Sequence, residues 1–301
     1  MTRRAVVPLT LLLLLLPTAG RSQNPAAPSR PAPDPAAQSA IFSSKVEAVR
    51  VDVLVTDNNQ TVRGLGPADF DILDNGVPQQ VDLVSFDEIP LNVILALDMS
   101  DSVAGDRLNQ LRTAGGAILG ALHKSDQAAL VTFSEVVRRE APLSTNVESV
   151  RAALNQVDAS GATALVDGTF AGIMVGESDA GRALLIVFSD GVDTSSWLNG
   201  DTVLDAAKRS DVVAYAVAVK SALKPEFLRD LTSFTAGRLF EVDKTANLAA
   251  IFLGVLDEFR QRYLVSYTPR GVARDGWHRL EVRVKNRRAA VKARPGYLAG
   301  S

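Results

Sequence analysis

Residues 93–102 read Val-Ile-Leu-Ala-Leu-Asp-Met-Ser-Asp-Ser. The first five residues are all apolar, which is typical of a strand buried on both faces of a parallel sheet. The next five residues include three with short oxygen-bearing side chains, Asp98, Ser100 and Ser102. Because a helical pattern begins soon after, we expect these residues to form a tight turn. A buried strand that leads through a polar turn into a helix indicates a βαβ unit.

Three further stretches along the chain are apolar in the same way, at 128–133, 183–188 and 212–219. Helical patterns lie between them, with apolar residues every three or four positions from Leu108 to Leu122 and from Leu248 to Phe259. Strands that alternate with helices predict a doubly wound, Rossmann-like α/β domain with a mainly parallel central sheet. We place this domain at 91–260.

Strands of a second kind flank that domain. Near residues 49–56, 263–268 and 279–285, apolar and polar side chains alternate, which is typical of antiparallel sheets with one wet face. Asp74-Asn75-Gly76 predicts a hairpin turn between residues 70–73 and 81–83, since Asn-Gly tolerates positive φ. We expect one β-sandwich, built from residues 41–90 and 261–301, into which the α/β domain is inserted. The alternative is two separate β extensions, each packed on the α/β domain.

The N-terminus has the layout of a secretory signal peptide over residues 1–22. Arg3 and Arg4 precede an apolar stretch that contains the run Leu11 to Leu16, and small residues follow. A transmembrane anchor would need about 20 apolar residues, and this stretch is shorter. Residues 23–40 are rich in proline and alanine and predict an extended linker. We therefore expect an exported protein, periplasmic or secreted, with the signal peptide cleaved.

Composition excludes several classes of function. The chain of 301 residues has no cysteine, which excludes a thiol nucleophile and a Cys-ligated metal. It has only two histidines, His123 and His278, which disfavours a multi-His metal site. The formal net charge of −2 gives no support to nucleic-acid binding, which is usually a property of strongly basic domains.

Polar side chains gather where the buried strands end. Asp98, Ser100 and Ser102 follow the first buried strand, Asp190 follows the strand at 183–188, and Thr163 lies in a loop that enters a helix. In a doubly wound sheet, ligands bind outside the carboxyl ends of the strands where the strand order reverses, so these residues are expected to converge. The set is made only of oxygen ligands, which suits Mg²⁺, Mn²⁺ or Ca²⁺ and not zinc.

These five residues resemble the metal-ion-dependent adhesion site (MIDAS) of von Willebrand factor A domains, such as the inserted domains of integrins. The resemblance covers about 91–260. Motifs in the flanking strands add a resemblance to the bacterial exported VWFA-related domain proteins. They are Gly64-Leu65-Gly66-Pro67-Ala68-Asp69-Phe70, Asp74-Asn75-Gly76, Tyr263-Leu264-Val265-Ser266-Tyr267 and Gly276-Trp277-His278.

The resemblance implies that Ser100, Ser102 and Thr163 coordinate the metal through their hydroxyls, while Asp98 and Asp190 bind it directly or through water. Neutral hydroxyls leave the charge of the cation largely uncancelled, so the metal can accept an Asp or Glu carboxylate from a partner protein.

Two residues of the same turn, Asp101 and Ser102, have features beyond the shared metal-site pattern. Asp101 stands where glycine is common in the family. We expect Ser102 also to cap the helix that follows, whose positive end would favour an incoming anion.

The sequence therefore predicts an exported module that binds an acidic residue of a protein partner through a divalent metal. A structural envelope module with a stabilising metal is the first alternative. A metal-assisted hydrolase is a weaker one, because the sequence shows no candidate base and no catalytic motif.

The segment 270–294 carries nine Lys or Arg residues against Asp275 and Glu281. We interpret this basic segment as the wet face of antiparallel strands. The alternative is contact with an anionic envelope polymer or membrane surface.

Overall fold

The computed structural model describes residues 48–58, 60–86, 89–189, 192–221 and 223–300. The expected signal peptide at 1–22 and the expected linker at 23–40 lie outside these residues. Within the described residues, no helix combines the length and the apolar character needed to cross a membrane.

Strands and helices follow one another in an order that separates two kinds of sheet. The strands are β1 (Val49–Asp57), β2 (Gln60–Thr61), β3 (Phe70–Asp74), β4 (Val77–Gln79), β5 (Val81–Phe86), β6 (Leu91–Asp98), β7 (Gln127–Phe133), β8 (Val137–Ser144), β9 (Arg182–Ser189), β10 (Val213–Val219), β11 (Leu239–Val242), β12 (Tyr263–Tyr267), β13 (Gly276–Val284), β14 (Ala290–Lys292) and β15 (Gly296–Ala299). The helices are α1 (Asp106–Gly120), α2 (Val147–Gln156), α3 (Leu165–Gly176), α4 (Gly200–Arg209), α5 (Glu226–Phe234) and α6 (Leu248–Arg260).

The central sheet has the strand order β11-β10-β9-β6-β7-β8. Neighbouring strands pair in parallel, except for β7 and β8, which are antiparallel. Every residue of β6 and β9 is buried, because α1, α2 and α6 cover one face of the sheet and α3, α4 and α5 cover the other. This is the doubly wound, Rossmann-like α/β arrangement that the apolar strands predict.

The strand order reverses between β6 and β9. From β6 the chain moves to β7 on one side and later returns to β9 on the other, and Leu97 of β6 pairs with Phe188 of β9. The helices that follow β6 and β9, α1 and α4, cover opposite faces of the sheet, and such an arrangement places a ligand-binding crevice at the carboxyl ends of the two strands. The residues predicted to converge follow these two strands.

Helix α3 lies unusually close to the sheet at Gly168. A Cβ at this position would come within 2.3 Å of the Phe133 ring, so only glycine allows the approach. The close packing fixes the N-terminus of α3 beside the end of β7, and with it the loop that carries Thr163.

Two antiparallel sheets form from the flanking segments. One has the order β14-β1-β12-β5, with β2 paired to β1, and the other has the order β15-β13-β3-β4. Apolar side chains from both sheets, among them Val53, Ile72, Val265 and Leu280, belong to one buried cluster. Because β1 pairs with β12 and β3 pairs with β13, each sheet combines a strand that precedes the α/β body with one that follows it.

The hairpin at Asn75-Gly76 forms, but its second strand differs from the expectation. Both residues have positive φ, 48° and 81°, and the turn joins β3 to β4. Residues 81–83 instead belong to β5, which pairs with β12 in the other sheet. The sequence pattern at 81–83 does not identify this partner, because β12 lies far along the chain.

Candidate metal site

Asp98 is the last residue of β6 and its side chain is completely buried. One carboxylate oxygen, Oδ1, accepts the backbone N–H of Ser100 at 2.9 Å. The other, Oδ2, accepts the hydroxyl of Ser189, the last residue of β9, at 2.8 Å. The two strands on either side of the crevice are thus joined through this carboxylate, which fixes its orientation.

The turn after Asp98 brings two hydroxyls together. The Oγ atoms of Ser100 and Ser102 lie 2.9 Å apart, with Ser100 buried and Ser102 exposed. A short 3-10 turn over Asp101–Val103 produces this geometry, as the N–H of Val103 bonds to the carbonyl of Ser100.

The expectation that Ser102 caps the next helix is wrong. Helix α1 begins at Asp106, after the 3-10 turn, and its N-cap is Gly105. The positive end of α1 therefore lies several residues beyond the hydroxyl pair.

The loop that carries Thr163 is hydrogen-bonded to this turn. The N–H of Asp101 donates to the carbonyl of Gly161 at 3.0 Å, and the N–H of Ser160 donates to the carbonyl of Met99 at 2.7 Å. Thr163 itself is buried, two residues before α3 begins at Leu165. The structure therefore places Asp98, Ser100, Ser102 and the Thr163 loop side by side at the carboxyl end of the sheet.

Asp190, the fifth predicted residue, lies outside the described residues. It directly follows Ser189 in the sequence, and Ser189 is the buried residue that donates to Asp98. The sequence shows only that Ser189 lies between the apolar run at 183–188 and Asp190. Its role in holding Asp98 depends on β6 and β9 being neighbours, which no local pattern indicates.

The loop after β9 is fastened to the N-terminus of α3. The Oδ1 atom of Asp193 accepts the N–H of Val166 at 3.2 Å, so Asp193 satisfies a free donor of the first helical turn. In return, the carboxylate of Asp167 accepts the N–H groups of Trp197 and Leu198, each at 2.9 Å.

Thr194 adds a third tie between these loops. Its hydroxyl accepts the N–H of Thr163, and its own N–H donates to the carbonyl of Thr163 at 2.8 Å. The sequence does not single out Asp167, Asp193 or Thr194, because no local pattern links the loop after β9 to the start of α3.

The donor set suits a hard divalent cation. Its described members are one buried carboxylate, fixed in orientation by two hydrogen bonds, a pair of neutral hydroxyls within 3 Å of each other, and the buried Thr163 in the adjoining loop. Oxygen ligands of this kind are those that Mg²⁺, Mn²⁺ and Ca²⁺ prefer. Their packing at the point of strand reversal is the observation that makes a metal site chemically reasonable here.

Comparison with known proteins identifies the family of the chain. The model of the von Willebrand factor type A domain family matches residues 92–253, more than half of the chain. Among curated proteins, the inter-alpha-trypsin inhibitor heavy chain H4 of Sus scrofa is 40% identical over 82 residues, which cover 26% of this chain and 9% of that protein.

Two solved structures share the fold at low sequence identity. The proximal thread matrix protein 1 of the mussel byssus, in a form described as having a zinc-occupied MIDAS motif, has a TM-score of 0.52 at 16% identity. The alignment covers 60% of this chain and 48% of that one. The von Willebrand factor type A protein from Catenulispora acidiphila has a TM-score of 0.53 at 13% identity, over 82% of this chain and 75% of that one.

This chain thus spans about half of the mussel protein and a small part of the porcine one. The strand order, the crevice between β6 and β9 and the family match agree with one another. The chain belongs to the von Willebrand factor type A domain family.

Proposed function

We propose that this protein is an exported module that binds a divalent metal and, through it, an Asp or Glu carboxylate of a protein partner. The metal would be held by Asp98, Ser100, Ser102, Thr163 and Asp190. The observation that carries the proposal is the pair of hydroxyls of Ser100 and Ser102, 2.9 Å apart beside the buried carboxylate of Asp98.

This ligand set leaves the metal electrophilic. Three of its five members are neutral hydroxyls, so the two aspartates supply the only negative charge. When bound, a cation such as Mg²⁺ supplies a positive centre with room for one more oxygen ligand, and a carboxylate is a good one. The five residues would hold that centre at the carboxyl ends of β6 and β9. Mg²⁺ is our first choice, with Mn²⁺ and Ca²⁺ as alternatives.

The domain division belongs to the same proposal. Residues 41–90 and 261–301 would form one β-sandwich around the inserted vWA domain at 91–260, with a cleaved signal peptide at 1–22 and a linker at 23–40. The shared cluster of apolar side chains from both antiparallel sheets supports the sandwich. The apolar N-terminal run supports export, to the periplasm or beyond the cell.

A purely structural role for the metal is the main alternative, and chelation would then lower stability without changing any binding. A metal-assisted hydrolase has less support, because both histidines have structural partners. The Nδ1 atom of His278 lies 2.7 Å from the buried carboxylate of Asp74. His123 lies in the turn after α1, beside Arg260. We therefore propose no catalytic role.

Contact between the basic segment 270–294 and an anionic envelope surface stays a weaker proposal. Arg294 is buried and donates to the carbonyls of Ser210 and Lys208. Arg279 and Arg283 flank Glu281 on the exposed face of β13. Part of the positive charge of this segment thus has partners within the protein. Strong salt dependence of binding to an anionic envelope surface would support the contact.

Metal binding is tested first, by calorimetric titration with Mg²⁺ and Mn²⁺ and by thermal unfolding with and without EDTA. We expect saturating metal to stabilise the wild type, by about 3 kcal/mol at a concentration 100 times the dissociation constant. Asp98→Ala and Ser100→Ala should abolish or strongly weaken this effect. Asp101→Asn is the matched control, because Asp101 lies in the same turn but is not a predicted ligand.

Partner binding is tested by cross-linking the exported protein in its native envelope, in Mg²⁺ and in EDTA. The proposal predicts capture of a protein that requires Mg²⁺ and Asp98, and that is lost when one Asp or Glu of the captured protein is replaced. Capture that is insensitive to chelation and to Asp98→Ala would refute the binding role. Stabilisation by metal without any metal-dependent capture would favour the structural alternative.

A further inference from the structure

Exposed apolar side chains concentrate at the carboxyl end of the central sheet. Among the described residues, eight large apolar side chains are exposed, and five of them lie on loops that follow β7, β9 or β10. Because these strands run parallel to β6, their loops share one edge of the sheet with the Asp98 turn. We name this group the apolar rim. It consists of Val136, Val192, Trp197, Leu198 and Leu223.

Trp197 is the most exposed of them, at 94%. It does not project from a loose segment, because the carboxylate of Asp167 accepts its N–H and that of Leu198. Three residues earlier, Thr194 is bonded to Thr163. The loop is therefore held to the same helix end as the predicted ligand Thr163, while the indole remains in solvent. A rigidly presented aromatic side chain is the kind of anchor that dominates binding energy at interfaces.

Two exposed acidic residues lie beside the metal-site turn. Asp101 is exposed in the metal-site turn and its N–H bonds to Gly161. Glu135 is exposed next to Val136, and its side chain lies close to Gly161 as well. A partner that brings one carboxylate to the metal would meet repulsion from these two groups if it carried a second acidic residue alongside.

We propose that the partner segment presents one Asp or Glu to the metal together with a neighbouring large apolar side chain that covers Trp197, and no second acidic residue beside them. This inference rests on the proposed function, since the carboxylate is the metal ligand assigned there. It adds that the apolar rim, and Trp197 above all, selects among carboxylate-bearing partners. The occupant is a protein segment of this composition rather than a second copy of the chain.

The experiment uses displayed libraries of random peptides, selected on the full exported chain in Mg²⁺ and eluted with EDTA. We expect the selected peptides to contain one Asp or Glu with an aromatic or large aliphatic neighbour, and to be depleted of second acids. On Trp197→Ser the carboxylate should persist while the apolar preference disappears. Met174→Ser is the matched control, because Met174 is an exposed apolar residue outside the rim.

Affinity and fluorescence give the second measurement. A synthetic peptide from the selection should bind Trp197→Ser about tenfold or more weakly than wild type, as expected for an aromatic anchor, and bind Met174→Ser unchanged. The chain has two tryptophans, so Trp277→Phe leaves Trp197 as the only one. In that variant, peptide in Mg²⁺ should shift the emission to the blue and reduce quenching by iodide, and EDTA should reverse both.

The outcomes separate the two proposals. Selection that yields no EDTA-eluted, carboxylate-bearing peptides would refute the proposed function and this inference with it. Carboxylate-bearing peptides without an apolar neighbour, or with equal affinity for Trp197→Ser, would refute only the inference. Dimers of the wild type that dissociate in Trp197→Ser, seen by light scattering, would assign the rim to self-association and overturn the inference as well.

Discussion

At the scale of single residues, Asp126 shows how a buried charge is held in this fold. It is buried, and its carboxylate accepts the N–H of Leu91 at 3.0 Å, the N–H of His123 at 2.7 Å and an Nη2–H of Arg260 at 2.6 Å. Burial raises the pKa of this carboxyl, but the three hydrogen bonds and the charge of Arg260 outweigh burial and hold the pKa below its ordinary value of 3.8. One side chain thus ties the start of β6, the turn before β7 and the end of α6.

Replacing Asp126 tests that role. We expect Asp126→Asn to lower the free energy of unfolding by about 3 kcal/mol near neutral pH, because it removes the charge that compensates Arg260. A carboxyl whose folded pKa is lowered stabilises the fold above its unfolded pKa, and this contribution is lost as the pH falls through the folded pKa. The difference between wild type and variant should therefore shrink below about pH 4.

Urea unfolding between neutral and acidic pH measures the Asp126 effect. Asp158→Asn serves as the control, because that side chain is 94% exposed and lies 3.5 Å from Arg112. A change within about 0.5 kcal/mol is expected there. A constant difference between wild type and Asp126→Asn down to the lowest pH would contradict the explanation.

At the scale of elements, two glycines occupy opposite conformational environments. Gly76 closes the β3–β4 hairpin with a φ of 81°, where any side chain is strained. Gly254 lies in the middle of α6, exposed and with helical neighbours on both sides. A Cβ would have no atom within 4 Å at either position, so neither glycine is required for space.

The same substitution should therefore have opposite effects at the two positions. Gly254→Ala is expected to raise the free energy of unfolding by about 1 kcal/mol, because alanine loses less backbone entropy in a helix. Gly76→Ala is expected to lower it by about 1 kcal/mol through strain at positive φ. Thermal unfolding of both variants is sufficient. Equal signs would show that local conformation does not control stability at these positions.

At the scale of the whole molecule, the antiparallel sheets and the α/β body share buried ionic contacts. Asp52 of β1 accepts two hydrogen bonds from Arg182, the first residue of β9, and both side chains are buried. The guanidinium of Arg182 also lies 4.9 Å from the centre of the Phe259 ring in α6. Only two residues separate the end of α6 from β12, so the chain itself adds a short covalent link.

We expect this junction to make the described regions unfold as one unit. Amide hydrogen exchange at increasing urea concentration reports on the two regions separately, since β6 and β9 lie in the α/β body and β3 and β13 in an antiparallel sheet. The urea midpoints of the amides in these two pairs of strands should coincide in the wild type. Adding Asp52→Ala should cost about 3–5 kcal/mol, because it leaves Arg182 buried and unpaired, and should separate the two midpoints.

The control for the junction is Asp71→Ala, which removes the exposed partner of Lys285 on β3 and should leave the midpoints together. Separate midpoints before any change at Asp52 would show that the two regions are independent. Coincident midpoints and unchanged stability in Asp52→Ala would show that the buried pair does not couple them.

Much of the architecture could be predicted because burial leaves a periodic signature. Continuous apolar runs indicate strands covered on both faces, as in β6 and β9, and alternating runs indicate strands with one buried face, as in β13. In β1 the alternation is present in the sequence, but Asp52 on the polar face is also buried, against Arg182. The pairing of the strands was harder to predict. The hairpin turn was located, but the exchange of β4 for β5 was missed, because pairing depends on contacts distant in sequence.

The sequence by itself determined the oxygen chemistry of the candidate site and the α/β character of the domain, because ligand type and hydrophobic period are properties of short segments. Only the tertiary structure decided that Ser189 holds Asp98 and that α1 begins at Asp106 and not beside Ser102. It also decided that Trp197 is exposed on a loop hydrogen-bonded to the N-terminal turn of α3. Those features arise where strands and loops far apart in the chain become neighbours, and the packing that joins them leaves no local pattern.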